Sequence, residues 1–191
     1  MPSGAGMNKI SYRLICGLLL AGALLTAPTR RATADERSAR EFEVKAAFLF
    51  HFPEYAEWPA EAFPRPDSPL IIGVVGRDDP FSGALERAVR DKRVKGRSIV
   101  IVHYAGVAAL GACHVLFVCD DQAEALDSIL QKAGSGTLTV SDLDSFTDKG
   151  GLVRFFPEDN KVRFEVNLDV LRRSRLRISS QLLKLAKIVH P

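Results

Sequence analysis

The sequence predicts an α/β fold, with a single domain built on a mostly parallel central sheet flanked by helices. Short runs of consecutive apolar residues, typical of strands buried on both faces, alternate with amphipathic segments of helical length. The last two strand-like runs are joined by a turn signal, which predicts a C-terminal β-hairpin after the parallel part. The chain has 191 residues, of which 47% are hydrophobic, and this suits one domain with a substantial core.

Residues 1–34 are predicted to be a signal peptide, followed by the α/β domain over residues 35–191. Lys9 and Arg13 precede an unbroken apolar run over residues 14–27. A run of this length suits the apolar region of a signal peptide and is short for a membrane-spanning helix. The sequence therefore predicts export out of the cytoplasm, with an uncleaved N-terminal anchor as the alternative.

Two cleavage sites fit this signal peptide. Cleavage after Ala27 would place Pro28 at the new N-terminus, which we expect a signal peptidase to resist. Cleavage after Ala34 uses a small-x-small site and leaves Asp35 first, so this site is favoured. Met7 is an alternative start of the chain.

The net charge of +3 is unevenly distributed along the chain. Residues 1–34 contain four basic residues and no acidic residue, so the predicted domain carries 22 basic and 23 acidic side chains. A nucleic-acid-binding function inferred from the basic pI would therefore rest on the signal peptide, and no nucleic-acid partner is expected. The basic residues between 87 and 97 are expected to form a solvated helix face and turn. A second basic stretch, residues 172–177, could bind an acidic partner or lipid headgroups, although solvation is its default role.

Alternating strands and helices are predicted along the domain. The predicted elements are an apolar helix over 41–55 that Pro53 ends, strands at 70–76, 98–104, 113–119 and 137–140, and helices that begin near Asp78 or Asp79 and near Asp120 or Asp121. This alternation is typical of a parallel sheet. A final amphipathic helix is predicted from about Ser179 to Val189.

The C-terminal hairpin is predicted with residues 159 and 160 at the centre of its turn. The resulting register pairs Val153 with Val166 and Phe155 with Phe164 on one face, and Arg154 with Glu165 and Phe156 with Arg163 on the other, where Asn167 also lies. The first face is apolar and is expected to join the core. The second face is polar and is expected to be solvated.

Cys113 and Cys119 are the cysteines that remain after the predicted cleavage, because Cys16 lies in the signal peptide. They flank a predicted strand in which six steps span about 20 Å. The Cα atoms of a disulfide lie within about 7 Å of each other, so the two cysteines are not expected to pair. Buried thiols, pairing between chains, or a segment that is not a strand all remain open.

The sequence contains no pattern that makes a case for an enzyme. The glycines at 73 and 76 lack both the third glycine of a dinucleotide fingerprint and the lysine of a phosphate loop. The four histidines have no metal-ligand spacing, and no nucleophile elbow is present. We therefore expect a protein without catalytic residues, metal or cofactor.

Several acidic residues follow predicted strands, where α/β proteins place ligand-binding groups. Asp142 and Asp144 are among them, although capping a helix is the more ordinary role for such residues. The second functional hypothesis is therefore a periplasmic small-ligand sensor for a histidine kinase or a transport system. Its ligand would lie near Arg77, Asp78, Asp79, Asp120 and Asp142.

Three sequence blocks together resemble a known family. They are EVKAAFLF at 43–50 with EWP at 57–59, SD at 141–142 through KGG at 149–151, and NKVRFEVNL at 160–168 with ISSQLL at 178–183. In their order and spacing they resemble the YfiR family of exported bacterial proteins, long catalogued as a domain of unknown function. The similarity runs from Phe42 to about Val189.

The resemblance implies a non-catalytic periplasmic α/β domain, often dimeric, that binds the periplasmic portion of an inner-membrane diguanylate cyclase and represses it. It also implies that an outer-membrane lipoprotein sequesters the repressor, and that release of the cyclase raises cyclic-di-GMP and favours biofilm. Well-studied members are stabilised by two disulfides. Cys113 matches a family cysteine but has no partner in this sequence, so redox control is not carried over.

The partner-binding surface is predicted on the polar face of the hairpin and the adjoining basic segment. The residues are Arg154, Arg163, Glu165, Asn167, Arg175 and Arg177. A cross-strand ladder on a solvated face is the alternative role for these residues.

Overall fold

The computed structural model of the protein describes residues 34–77 and 79–191. Most of the predicted signal peptide, with Cys16 and the cleavage site after Ala27, lies outside the described residues, as does Asp78. In the described part of the chain, no helix is long and apolar enough to cross a membrane.

Helices and strands alternate along the described chain. The helices are α1 (Ala34–His51), α2 (Asp79–Val89), α3 (Leu126–Ala133), α4 (Leu168–Arg173) and α5 (Ser180–Leu183). The strands are β1 (Ala56–Glu57), β2 (Leu70–Val75), β3 (Arg93–Val94), β4 (Arg97–Tyr104), β5 (Val115–Val118), β6 (Leu138–Ser141), β7 (Val153–Glu158), β8 (Lys161–Asn167), β9 (Arg177–Ile178) and β10 (Lys187–Val189).

An eight-stranded sheet in the order β10-β8-β7-β6-β5-β2-β4-β3 forms the centre of the domain. The five strands β4, β2, β5, β6 and β7 are mutually parallel. Strand β8 runs antiparallel to β7, and β3 runs antiparallel to β4. Strands β1 and β9 form a separate antiparallel ladder. The predicted α/β fold with a mostly parallel central sheet is confirmed.

The central strands β2, β5 and β6 are buried on both faces, which explains their continuous apolar runs. Ile72 and Val74 of β2 face a core that α1 and α2 cover. Val75 of β2 and Leu116 of β5 belong to a second core that contains Leu126 of α3. All five side chains are 2% exposed or less, and each such burial contributes roughly 1.5–3 kcal/mol to the free energy of unfolding.

Helix α1 ends at His51, because the turn that follows contains Pro53, whose ring removes a backbone donor. Its last turns are fastened to the hairpin by aromatic contacts. The ring of Phe48 lies 5.9 Å from that of Phe155 and 5.4 Å from that of Phe164, measured between centroids. These contacts also hold the turn of α1 that precedes Phe48, and that contains Lys45, beside the ends of the central strands.

The β7–β8 hairpin has the predicted register. Arg154 lies opposite Glu165, and Phe155 lies opposite Phe164. Asp159 and Asn160 have φ angles of +51° and +57°. This left-handed backbone is what a two-residue type I′ hairpin turn requires, and Asn and Asp tolerate it better than other side chains.

The prediction of a helix from Ser179 to Val189 is wrong beyond its first turn. Helix α5 spans only Ser180–Leu183, and the chain then continues as β10, which pairs in parallel with β8. Leu185, expected on the apolar stripe of that helix, is 68% exposed. Pairing with β8 satisfies backbone groups that would otherwise be left open at the edge of the sheet, and this outweighs the helical periodicity.

The basic residues between 87 and 97 are exposed, as expected, except for the partly buried Arg97, and two of them also bond the backbone of other segments. The Lys95 ammonium donates to the Ala56 carbonyl at 2.7 Å, and the Arg97 guanidinium donates to the Ser68 carbonyl at 2.8 Å. Arg97 also lies over the ring of Phe63, with 3.9 Å between the guanidinium carbon and the ring centroid. These cations therefore fasten the loops before β2 to the domain.

Candidate functional site

The six residues predicted to bind a partner differ in exposure, and the structure divides them between two places. They are Glu165 and Asn167, which are buried, Arg154, which is partly buried, and Arg163, Arg175 and Arg177, which are exposed. Four of them lie on the hairpin, as expected, namely Arg154, Arg163, Glu165 and Asn167. Arg175 lies beside β9 and Arg177 within it, and β9 pairs with β1. The expectation that the polar face of the hairpin is solvated is therefore wrong for its two innermost residues.

Glu165 is the centre of a buried polar network. Its Oε1 accepts hydrogen bonds from the Thr147 hydroxyl at 2.7 Å and from Arg154 Nε at 2.8 Å, and Lys187 Nζ lies 3.6 Å from its Oε2. Burial acts to raise the pKa of Glu165, but these donors outweigh burial and hold the pKa below its ordinary value. Glu165 is therefore a buried, paired carboxylate at neutral pH.

Asn167 connects the same network to the backbone. Its side-chain amide donates to the Thr147 carbonyl at 2.8 Å, and its Oδ1 accepts from the Val170 N–H at 2.9 Å. The second bond caps the first turn of α4. Asn167 thus holds the loop before β7 against the start of α4, and its side chain is not exposed to a partner.

Phe156, on the outer part of the hairpin, lies among basic side chains. Arg154 and Lys187 approach its ring, with 5.5 Å and 5.4 Å from the guanidinium carbon and the ammonium to the centroid. Arg163 lies opposite Phe156 across the ladder. We call Arg154, Phe156, Arg163 and Lys187 the hairpin strip. Arginine and aromatic residues are enriched in protein interfaces, so the strip has the composition of a binding surface.

A second polar network centres on Lys45, which was not among the predicted site residues. Lys45 is 6% exposed, and its ammonium lies 2.6 Å from Glu41 Oε1 and 2.6 Å from Asp142 Oδ2. Burial acts to lower the pKa of Lys45, but the hydrogen bonds to Asp142 and Glu41 outweigh burial and raise it. The available sequence signal was the spacing of Glu41 and Lys45, which lie four residues apart and therefore on the same face of α1. Asp142 does not cap a helix, because turns follow β6.

A crevice of about 350 Å³ lies beside Lys45, at the carboxyl ends of β2, β5 and β6. The chain leaves β2 for β4 on one side and then returns to β5 on the other, so the crevice marks a topological switch point of the sheet. Arg77, Asp120 and Asp142 of the predicted ligand site line it, together with Glu41 and Lys45. Three of the residues that were predicted to lie near a ligand at the strand ends, Arg77, Asp120 and Asp142, therefore lie together in the structure.

His114 has a structural role in this fold. Its Nδ1 accepts from the Ile71 N–H and its Nε2 donates to the Ala62 carbonyl, both at 3.0 Å. Its ring stacks on Phe63 with 4.3 Å between centroids. Burial lowers the pKa of His114, and both ring nitrogens are used within the chain.

Cys113 is a thiol, and no disulfide joins it to Cys119. Burial raises the pKa of Cys113 to about 11, so the thiol is neutral at physiological pH and is a poor nucleophile. In the part of the chain that the structure describes, no group of three or more His, Cys, Asp or Glu side chains could hold a metal ion.

Comparison with known proteins identifies a family and solved structures with a related fold. The family model DUF4154, described as YfiR/HmsC-like, matches residues 42–187. The solved structure titled "Crystal structure of conserved domain protein from vibrio cholerae o1 biovar eltor str. n16961" aligns with a TM-score of 0.52 and 12% sequence identity. The alignment covers 77% of this chain and 59% of that chain, and the likeness shows the fold alone. No curated protein matches the sequence.

The family match extends over most of the described domain, from α1 to the first residue of β10. It includes the Glu165 network, the hairpin strip and, apart from Ser38 and Glu41, the Lys45 network and the crevice. Members of this family are non-catalytic periplasmic regulators in cyclic-di-GMP signalling. The chain belongs to the YfiR/HmsC-like family.

Proposed function

We propose that this protein is a periplasmic repressor that binds the periplasmic portion of an inner-membrane signalling enzyme of the diguanylate cyclase type. Binding would restrain the enzyme and keep cyclic-di-GMP low. The observation that carries the proposal is the YfiR/HmsC-like match over residues 42–187. The predicted signal peptide agrees with it, because export brings the protein to the compartment where such a partner is accessible.

The hairpin strip is the surface we assign to this partner. One of its three cations, Arg154, is held in place by a hydrogen bond to the buried carboxylate of Glu165, and a second, Lys187, lies 3.6 Å from that carboxylate. Side chains that are already ordered lose less conformational entropy when a partner binds. A strip with three cations and one aromatic ring suits a partner surface that carries carboxylates beside an apolar patch.

Two substitutions test this surface. Phe156→Ala removes the ring, and Arg163→Glu reverses an exposed charge at a side chain that is 49% exposed. We expect both variants to fold and to lose capture of the inner-membrane enzyme from solubilised envelope fractions. We also expect both to fail to lower cyclic-di-GMP in cells that lack the native protein.

Lys184→Glu is the matched control, since Lys184 is an exposed cation outside the strip. It should bind and repress like the unmodified protein. Capture of no membrane signalling protein by the unmodified chain would contradict the proposed function. Full repression by both strip variants would contradict the assigned surface alone.

The proposal includes three further features that the family resemblance suggests. They are cleavage of the signal peptide, a homodimer, and sequestration by an outer-membrane lipoprotein. N-terminal sequencing of the periplasmic protein tests cleavage, and light scattering of the purified protein tests the dimer. Capture of an outer-membrane lipoprotein from the same envelope fractions tests the last feature.

The second candidate function is a small-ligand sensor, favoured by the crevice at the switch point of the sheet. Its charged residues, Glu41, Lys45, Arg77, Asp120 and Asp142, could bind a ligand that bears both an amine and a carboxylate. A ligand that binds only the folded state raises the melting temperature. A thermal-shift screen of amino acids, nucleotides and sugars that gives no rise would remove this candidate.

A further inference from the structure

A cavity of about 730 Å³ lies at the amino ends of β2, β5 and β6, at the opposite end of the sheet from the crevice. Its volume is in the range of small-molecule sites, about 300–1,000 Å³. Ile71, at the start of β2, and the segment 110–114, which leads into β5, form its inner wall. Thr137, immediately before β6, closes it on the side of α3.

The interior of this cavity presents an apolar surface, because its buried polar groups are already hydrogen-bonded. The two ring nitrogens of His114 bond the Ile71 N–H and the Ala62 carbonyl. The Thr137 hydroxyl donates to the Ala133 carbonyl at 2.8 Å. Cys113 contributes a neutral thiol, which behaves as a small hydrophobic group. Aliphatic and proline side chains supply much of the remaining wall, namely Pro59, Pro64, Pro69, Ile71 and Leu110.

Cations with remaining hydrogen-bonding capacity lie in the lining. Lys132 donates to the carbonyls of Val107 at 2.8 Å and Ala108 at 3.1 Å, which fixes its ammonium and leaves one of its three N–H donors. Among the described residues no carboxylate pairs with it. Arg175 lies 3.6 Å from Glu61, but both side chains are more than 60% exposed, and such ion pairs are weak enough for a ligand to displace.

We propose that this cavity binds an amphipathic carboxylate of the medium-chain fatty acid class. The apolar chain fills the interior, where the side chains of His114 and Thr137 already have partners within the chain, and the carboxylate bonds Lys132 and Arg175. The charge of the lining favours an anion, since Lys132 and Arg175 outnumber the single acid Glu61. This site is separate from the hairpin strip and does not depend on the proposed repressor function.

Decanoate is the probe for this site, used below the concentration at which it forms micelles. Titration calorimetry and thermal shift of the full mature chain should give saturable binding and a rise in melting temperature. Decanol, which lacks the charge, should bind at least about tenfold more weakly, since one charged hydrogen bond is worth about that factor. Acetate keeps the charge but lacks the chain, so it should also bind at least about tenfold more weakly, because it buries little apolar surface. Absence of saturable decanoate binding would overturn the proposal.

Two variants locate the site. Lys132→Gln removes the fixed ammonium and should weaken decanoate binding about tenfold. Ala112→Trp fills the cavity from an exposed loop position and should abolish binding. Lys184→Gln removes an exposed cation elsewhere and should leave binding unchanged. The Lys132 side chain is exposed. If Lys132→Gln and the control Lys184→Gln both bind decanoate as tightly as the unmodified protein, the cavity is not the decanoate site.

Discussion

The Lys45 ammonium and the Asp142 carboxylate lie 2.6 Å apart and join α1 to the end of β6 across 97 residues of sequence. Apolar packing attaches α1 to the sheet but is non-directional. The ion pair adds a directional contact, and it stands beside the crevice at the switch point of the sheet. A lysine this deeply buried is rarely found without a paired acid, so the two residues are expected to act as a unit in stability measurements.

A double-mutant cycle measures that unit. Lys45→Met and Asp142→Asn, alone and together, should give a coupling energy of about 2 kcal/mol in urea unfolding, because the pair is largely removed from water. The matched cycle of Lys45→Met with Glu41→Gln should give less than about 1 kcal/mol, since the Glu41 side chain is 46% exposed.

The pH dependence of this coupling has a defined sign. The folded-state pKa of Lys45 is raised above its ordinary value of 10.5. Its stabilisation is therefore complete below pH 10.5 and is lost only as the pH rises through the folded-state value. Equal coupling in both cycles, or a coupling that disappears near neutral pH, would contradict the assignment of Asp142 as the principal partner.

Glu165→Gln is predicted to destabilise the domain by about 2 kcal/mol at pH 7. The substitution removes the buried carboxylate partner of Arg154 and leaves only the exposed Asp144 carboxylate at 3.3 Å, and breaking one side of a buried ion pair is costly. Glu158→Gln is the control in the same hairpin, because the Glu158–Arg163 pair is about half exposed, and it should change stability by less than about 0.5 kcal/mol. Urea unfolding followed by circular dichroism gives both values.

The destabilisation by Glu165→Gln should depend on pH. The folded-state pKa of Glu165 lies below its ordinary value of 4.5, so its stabilisation is present above pH 4.5 and is lost as the pH falls through the folded-state value. The stability difference between the unmodified protein and the variant should therefore narrow in acid. A constant difference from pH 7 to pH 3 would mean that Glu165 acts through packing and not through its charge.

His114 is predicted to make the domain less stable in mild acid. Burial lowers its folded-state pKa below the ordinary value of 6.5, so below pH 6.5 the unfolded chain takes up a proton that the folded chain does not. Stability should fall as the pH drops from 6.5 towards the folded-state pKa and should level off below it. His114→Gln should lower stability at pH 7 but flatten this slope. A variant with the same slope as the unmodified protein would assign the acid sensitivity to another group.

Local sequence signals predicted the sheet and the hairpin well. The run from Leu70 to Val75 is apolar throughout because β2 is buried on both faces, and residues 159 and 160 set the hairpin register through their left-handed backbone. The burial of Glu165 could not be predicted in this way. Alternation along β8 identifies the face on which Glu165 lies, but that face is covered by Thr147 and Lys187, which approach from distant segments.

The same limit applies to Lys45 and to the C-terminal residues. The partner of Lys45 lies 97 residues away, so its burial depends on a tertiary contact. Helical spacing is present at Leu182, Leu185, Ala186 and Val189. Residues 187–189 nevertheless form a strand, because they pair with the otherwise open edge of β8. In a short segment beside an unpaired sheet edge, hydrogen bonds to the backbone groups of that edge can outweigh helical periodicity, because buried backbone groups need hydrogen-bond partners.

A chain that ends at Ala186 tests the role of β10. It lacks the strand that covers β8 and also lacks Lys187, so we expect a loss of about 2 kcal/mol in the free energy of unfolding. In hydrogen exchange, the amide of Val166, which points towards β10, should exchange faster. The Asn167 amide, which bonds the Leu152 carbonyl, and the amides of β2 at the centre of the sheet should follow only the global change. A chain that ends at Val189 keeps β10 and loses only the exposed His190 and Pro191, so it should behave like the full chain. If the Val166 amide is equally protected in both truncated chains, β10 does not close the edge of the sheet in solution, and the hairpin strip must then form without Lys187.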